Sequence, residues 1–349
     1  MRTDLGFKRI ATEEAFVTKD IVRGYRDLLA RNGSTDIGFN SLMGYYLNNP
    51  SERTRAVAER LEDLGSRRIH DMDSTGIDVQ ILSLTSPGVQ IFDADTAVGL
   101  ARSANDELAE AIAAHPTRYT GLAAIAPQNP SAAAYELERA VRTLKLKGAI
   151  VNSHTQGEYL DDEKFWDIFA AAEALDVPIY LHPNTPPNAM IKPFKDRGLD
   201  GAVFGFAVET GLHALRIVVS GAFDRFPNLR IVLGHLGEGL PYWLSRIDFM
   251  HGASVRANRY ASQPKLERKA SDYLKENFYY TTSGMAWTPP IRYVQSVMGM
   301  DRVMYAMDYP YQFVPEEVNV TDELPIGNED LEAFYQTNAE RVFKLRPET

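Results

Sequence analysis

Five side chains able to do acid–base or metal chemistry stand at the ends of short β-branched or apolar runs. They are Glu13 and Glu14 in IATEEAF, His182 in YLHP, His235 in GHLGE and Asp308 in MYAMDYPYQ. Carboxylates and neutral imidazoles without sulfur make a hard-to-borderline ligand set that suits Mn²⁺, Zn²⁺ or Mg²⁺. Two anionic ligands balance one divalent ion, which favours Mn²⁺. The chain has no cysteine, so thiolate ligands, a cysteine nucleophile and disulfides are excluded. Singly, each residue has an ordinary alternative: a hydrogen-bonded histidine in the core, or an aspartate capping a turn. Jointly they are harder to explain that way, because buried charges that face one another need a compensating cation.

Joint action requires that distant segments meet, and the pattern of elements provides for it. Strands are expected near 8–12, 78–84, 119–126, 148–152, 177–182, 229–235, 277–283 and 302–307, with amphipathic helical stretches between them. Asn129-Pro130 reads as a helix start, and so does Asp161. Eight βα units predict an α/β fold, a (β/α)₈ barrel (TIM barrel), in a single domain over residues 1–349. No glycine-rich phosphate loop follows the first strand, which argues against an open dinucleotide-binding sheet. In a barrel of this kind the C-terminal strand ends share one rim, and Glu13, Glu14, His182, His235 and Asp308 all fall there. Residues 17–50, with Gly33, Gly38 and Gly44, are too long for an ordinary βα loop and read as a cap inserted after the first strand. Residues 186–205 read as a second insertion.

Other features narrow the reading. The fourth strand ends in Asn152, and Lys147 precedes it, so no lysine is available there to bridge two metals; one ion is expected. His154 is placed near the rim, either supporting it or ordering its loop, and His213 reads as a packed helix residue. His70, His115 and His251 read as structural or solvated. A net charge of -10 makes nucleic acid an improbable partner. The charged N-terminal stretch and the lack of a long apolar run predict a cytoplasmic protein without membrane association.

IATEEAF, VNSHTQG, YLHP, GHLGEGLPYWLSRIDFMH and MYAMDYPYQ together resemble the metal-dependent decarboxylases of the amidohydrolase superfamily, nearly end to end. The resemblance implies that Glu13, His182 and Asp308 bind the metal, with His235 beside it as ligand or proton-handling group and Asp308 as proton donor. Many superfamily members carry His-x-His on the first strand; here Glu13-Glu14-Ala15 leaves the third position unable to coordinate. Arg53 and Arg246 could each be a surface ion pair with Glu52 or Asp248, but the resemblance assigns them to a substrate carboxylate, one of them from a neighbouring subunit. Tyr311, Thr85 and Phe206 follow as pocket residues. The implied reaction is nonoxidative loss of CO₂ from an ortho-hydroxylated aromatic acid, first 5-carboxyvanillate giving vanillate, otherwise γ-resorcylate or 2,3-dihydroxybenzoate. It needs no organic cofactor, and a homodimer or homotetramer is expected. A lactonase-like mononuclear hydrolase would use the same ligand types.

Overall fold

A computed structural model describes residues 5–31 and 34–346; Gly33 lies outside the described residues. Eight parallel strands form the centre: β1 (Ile10–Phe16), β2 (Val79–Leu84), β3 in two halves (Tyr119–Gly121 and Ala123–Ala124), β4 (Ala149–Asn152), β5 (Ile179–His182), β6 (Ile231–Leu233), β7 (Phe278–Thr281) and β8 (Val303–Met304). Each pairs in parallel with the next in sequence, the break at Leu122 dividing the ladder into a three-stranded and a six-stranded part. Leu122 N donates to Leu82 O and Ala123 N to Gly148 O, which carries the ring across that break. Closure comes from the other side: Thr12 N donates to Tyr305 O at 3.1 Å and Ala15 N to Tyr309 O at 2.7 Å. The result is the α/β barrel that the alternating pattern predicts. Its strands are near-continuous apolar runs because helices cover their outer faces while side chains fill the inside. Ile81, Leu82, Val151, Leu181, Val232, Leu233 and Val303 are accordingly all buried.

The first strand departs from expectation. It runs Ile10–Phe16 rather than 8–12, so Glu13 and Glu14 lie within it, not after it. Its pairing with β2 slips between Ala11, opposite Gln80, and Glu14, opposite Leu82. Such a bulge re-aims side chains, and here it aims consecutive glutamates at different partners. Two adjacent carboxylates read locally as a strand end, and only the groups they meet across the barrel make the strand continue.

Four helices separate β1 from β2: α1 (Lys19–Ala30), α2 (Ile37–Asn48), α3 (Glu52–Glu62) and α4 (Ser66–Thr75). Each of the first three starts on a side-chain cap, from Thr18, Asp36 and Ser51. Asn129 caps the helix Pro130–Arg142, with proline in its first turn. Near residue 161 the cap is Asp162, not Asp161; Asp161 is taken up by Arg216 at 2.8 Å. Residues 186–205 hold the short helix Lys192–Lys195 and end where Gly205 opens the helix Gly205–Val219. Among the described residues no helix is long and apolar enough to cross a membrane.

Candidate active site

Glu13 sits at the centre of the rim, 3% exposed. One oxygen, Oε2, accepts hydrogen bonds from Tyr180 and Ser283 and, at 3.3 Å, from Thr281. The other, Oε1, is buried and has no hydrogen-bond partner. What faces it is His182 Nε2 at 3.4 Å and His235 Nε2 at 3.9 Å. His182 Nδ1 lies 2.9 Å from Pro183 O, a carbonyl that can only accept, so Nδ1 carries the proton and Nε2 presents a lone pair. Burial pushes the pKa of His182 down, keeping it neutral.

Two acceptors with no donor between them therefore point at the same space, an arrangement that a shared cation relieves. Two donor atoms about 2.1 Å from one ion stand roughly 3.0–3.4 Å apart, which matches the Glu13–His182 pair. The 3.9 Å to His235 is longer than that edge and suits a hydrogen-bonding neighbour better than a ligand. Among the described residues no three His, Asp or Glu side chains already form a closed cage. A cation held here thus needs Asp308, water or substrate oxygens to complete its shell.

Asp308 follows β8, with a left-handed backbone (φ 68°). It lines the same cavity as His182 and His235. Burial pushes its carboxyl up to about 8, Glu13 adds to the rise and His235 opposes it. His235 is pulled down by burial, but Glu238 and Glu13 outweigh that and hold it up at about 10. Its Nδ1 stands 2.9 Å from Glu238 Oε1, and Glu238 is fully enclosed. Glu238 is the residue the sequence reading missed, although it lies three positions after His235 in the GHLGE motif. It orients the imidazole so that Nε2 faces the rim. In the metal-free protein Glu238→Gln removes the anion that retains this proton, so His235 should deprotonate at lower pH; a ring-proton NMR titration that leaves its midpoint unmoved would contradict the pairing.

Glu14 is not part of this centre. It turns outward and accepts from Met307 N at 2.9 Å and Tyr309 N at 3.1 Å, holding the residues on either side of Asp308. Burial pushes it up to about 8, with Arg68 opposing. His154 is also turned away: Nδ1 accepts from Gly157 N and Nε2 meets Thr185 O at 2.9 Å, which orders its loop. His213 is buried in the helix Gly205–Val219, its Nε2 accepting from Leu160 N. Lys147 reaches Lys344 O at 3.2 Å and does not reach the rim.

Above the rim is a cavity of about 170 Å³, lined by His182, His235, Asp308, Arg53, Phe206 and Tyr311 among others. Arg53, in the first turn of α3, donates to Tyr311 O at 3.1 Å, and the Thr85 and Tyr311 hydroxyls meet at 2.6 Å. Leu42 and Tyr46 of α2, Ser86, Ala202 and Gln312 complete the wall; long-range packing brings them in, and no local signal marks them. Arg246 is not brought there: it is exposed on the helix Leu240–Arg256 and is not among the cavity residues. Nor does it pair with Asp248, which accepts instead from Ser271 N and Oγ.

Residues 45–345 match the model of a family described as amidohydrolase. A 5-carboxyvanillate decarboxylase from Novosphingobium aromaticivorans, crystallised with manganese and 4-hydroxy-3-methoxy-5-nitrobenzoic acid, is 52% identical; the match covers 98% of this chain and 97% of that one with TM-score 0.96. A second 5-carboxyvanillate decarboxylase, from Sphingomonas paucimobilis, is 40% identical over 97% of this chain and 100% of its own, with TM-score 0.91. Among curated relatives, a gamma-resorcylate decarboxylase from Polaromonas sp. is 38% identical over 304 residues, 85% of this chain and 92% of the relative.

Proposed function

The chain belongs to the amidohydrolase family, and on that premise we propose that it is a metal-dependent decarboxylase of an ortho-hydroxylated aromatic acid, with 5-carboxyvanillate as substrate and vanillate and CO₂ as products. The observation that carries this is the partnerless Glu13 Oε1 facing the lone pair of His182 at 3.4 Å. Glu13, His182 and Asp308 would hold one divalent ion, Mn²⁺ by ligand type and by the manganese in the similar solved structure. When bound, that ion supplies the positive charge that draws in the phenolic oxygen and carboxylate of the substrate and withdraws electron density from the ring.

The remaining work falls to the chain. Direct loss of CO₂ would leave an in-plane aryl anion, so the ring carbon must be protonated first. Asp308 is the donor, its carboxyl raised by burial and drawn back by a bound cation; in its protonated form it gives the ring carbon a proton, the C–CO₂ bond breaks, and the electron pair returns to the ring. His235, oriented by Glu238, then restores the proton to Asp308 from water. Arg53 offers a planar guanidinium to a carboxylate, and Tyr311 and Phe206 hold the ring; Thr85, which is not among the residues lining this cavity, fixes the Tyr311 hydroxyl at 2.6 Å. Residues 17–50 would serve as the cap over the mouth; Leu42 and Tyr46 of α2 lie in that stretch and on the cavity wall, and Arg53 of α3 stands just beyond it. The direct test is CO₂ release from 5-carboxyvanillate by the manganese-loaded protein, with solvent deuterium appearing at the vacated ring carbon. Release without deuterium at that carbon would refute the protonation step.

The working unit is a homo-oligomer in which Arg246 serves a neighbour's site. Its helix leaves Tyr242 71% and Phe249 70% exposed, with Trp243 and Met250 beside them, an apolar surface that a second copy would cover. Complementation tests this. Arg53→Ala and Arg246→Ala proteins, each inactive alone, should regain activity on mixing, because a mixed dimer holds one site with both arginines. If Arg246 acted within its own subunit, every mixed site would lack one arginine and mixing would restore nothing.

A further inference from the structure

Three cavities stand in a row between the rim and the surface. The first is the catalytic cavity of about 170 Å³, and Tyr46 and Tyr311 line both it and a second cavity of about 30 Å³. Val22 and Glu62 line both that second cavity and a third, of about 380 Å³, which Lys19, Arg23 and Arg26 border at the surface. The middle one lies between α1, α2 and α3 on one side and the barrel on the other, among Val17, Met43, Leu47, Val57 and Ala58. Toward the barrel its polar neighbours are paired: Tyr25 hydroxyl donates to Gly88 O at 2.7 Å, Tyr311 meets Thr85 at 2.6 Å, and Val17 N donates to Leu61 O; the charged Glu62 lies at its exposed outer end. Water finds no partner in such a place, whereas a small apolar molecule fits; one water needs roughly 10–15 Å³ by the same measure.

We propose that this throat is a back door for the gaseous product, carrying CO₂ from the rim past Tyr46 and Tyr311 to the surface at Glu62. The inference rests on the decarboxylase reading above. CO₂ has no net dipole and forms deep in the pocket while the ring still fills it. An apolar side exit lets it leave before the ring does and removes it from the carbon it would otherwise rejoin. Tyr46 and Tyr311, which line both of the first two cavities, meet edge to face with ring centres 5.3 Å apart.

Xenon-pressurised crystals of the manganese-loaded protein and Ala58 variants test the exit. One xenon atom should occupy the throat in the unaltered protein and none in Ala58→Phe. The same variant should lower kcat about tenfold, with KM for the aromatic acid and manganese content unchanged, and show a first-turnover burst of ring product because release has become limiting. Ala58→Leu, a smaller obstruction, should fall between, so the trend survives if the phenylalanine variant folds poorly. A throat that takes no xenon overturns the proposal. So does a variant that excludes xenon yet turns over at the unaltered rate without a burst. Failure of the unaltered protein to release CO₂ overturns the functional reading instead, and xenon occupancy does not depend on that result.

Discussion

Glu13→Gln should leave the protein folded, almost free of manganese, and at least about a thousandfold slower in CO₂ release, the several kcal/mol that a bound metal supplies at a reacting oxygen. The substitution preserves volume and keeps an acceptor for the hydroxyls of Tyr180, Thr281 and Ser283, which now meet Oε2. What it removes is the negative charge at Oε1, where His182 offers its lone pair. An amide NH₂ turned to that position would donate to His182 and occupy the place of the ion. Metal analysis on the purified variant separates this outcome from general damage. Full manganese content with full activity would mean that Glu13 only buttresses the barrel and that the ion sits elsewhere. Gly234 supports the same picture: a β-carbon there would lie 2.5 Å from Glu13 Oε2, so Gly234→Ala should weaken manganese binding by displacing the carboxylate.

Asp308→Asn should lower kcat by about 10²–10⁴, the range for loss of a positioned proton donor, with a smaller effect on KM. Asparagine keeps the shape but cannot deliver a proton to the ring. The sign of the pH dependence follows from the same role. A donor must be protonated, so activity should decline as pH rises through the working pKa of Asp308. In the metal-free protein burial pushes that value up to about 8; a bound cation draws it back. Incorporation of solvent deuterium into vanillate at the vacated ring carbon, followed in parallel, should be lost in the variant. Near-normal turnover by Asp308→Asn would move the donor role to His235.

The fold was legible because parallel strands buried on both faces have to be apolar along their length. DVQILSL, VPIYLH and LRIVLGH announce themselves without any tertiary information. Barrel geometry then turns strand ends into a rim, so His182, His235 and Asp308 could be gathered from three distant segments. The conversion failed at β1, where Glu13 and Glu14 look equivalent in sequence. A bulge turns one inward to the rim and the other outward to the amides of Met307 and Tyr309. It also failed for Glu238, whose importance lies in the left-handed turn (φ 52°) that returns its carboxylate to His235. The sequence by itself determined the strand–helix alternation and the types of side chain available for chemistry, since both follow from local periodicity and composition. Only the tertiary structure decided which carboxylate oxygen is left without a partner and which apolar side chains line the cavity beneath α1, α2 and α3, because each depends on atoms that meet across hundreds of residues.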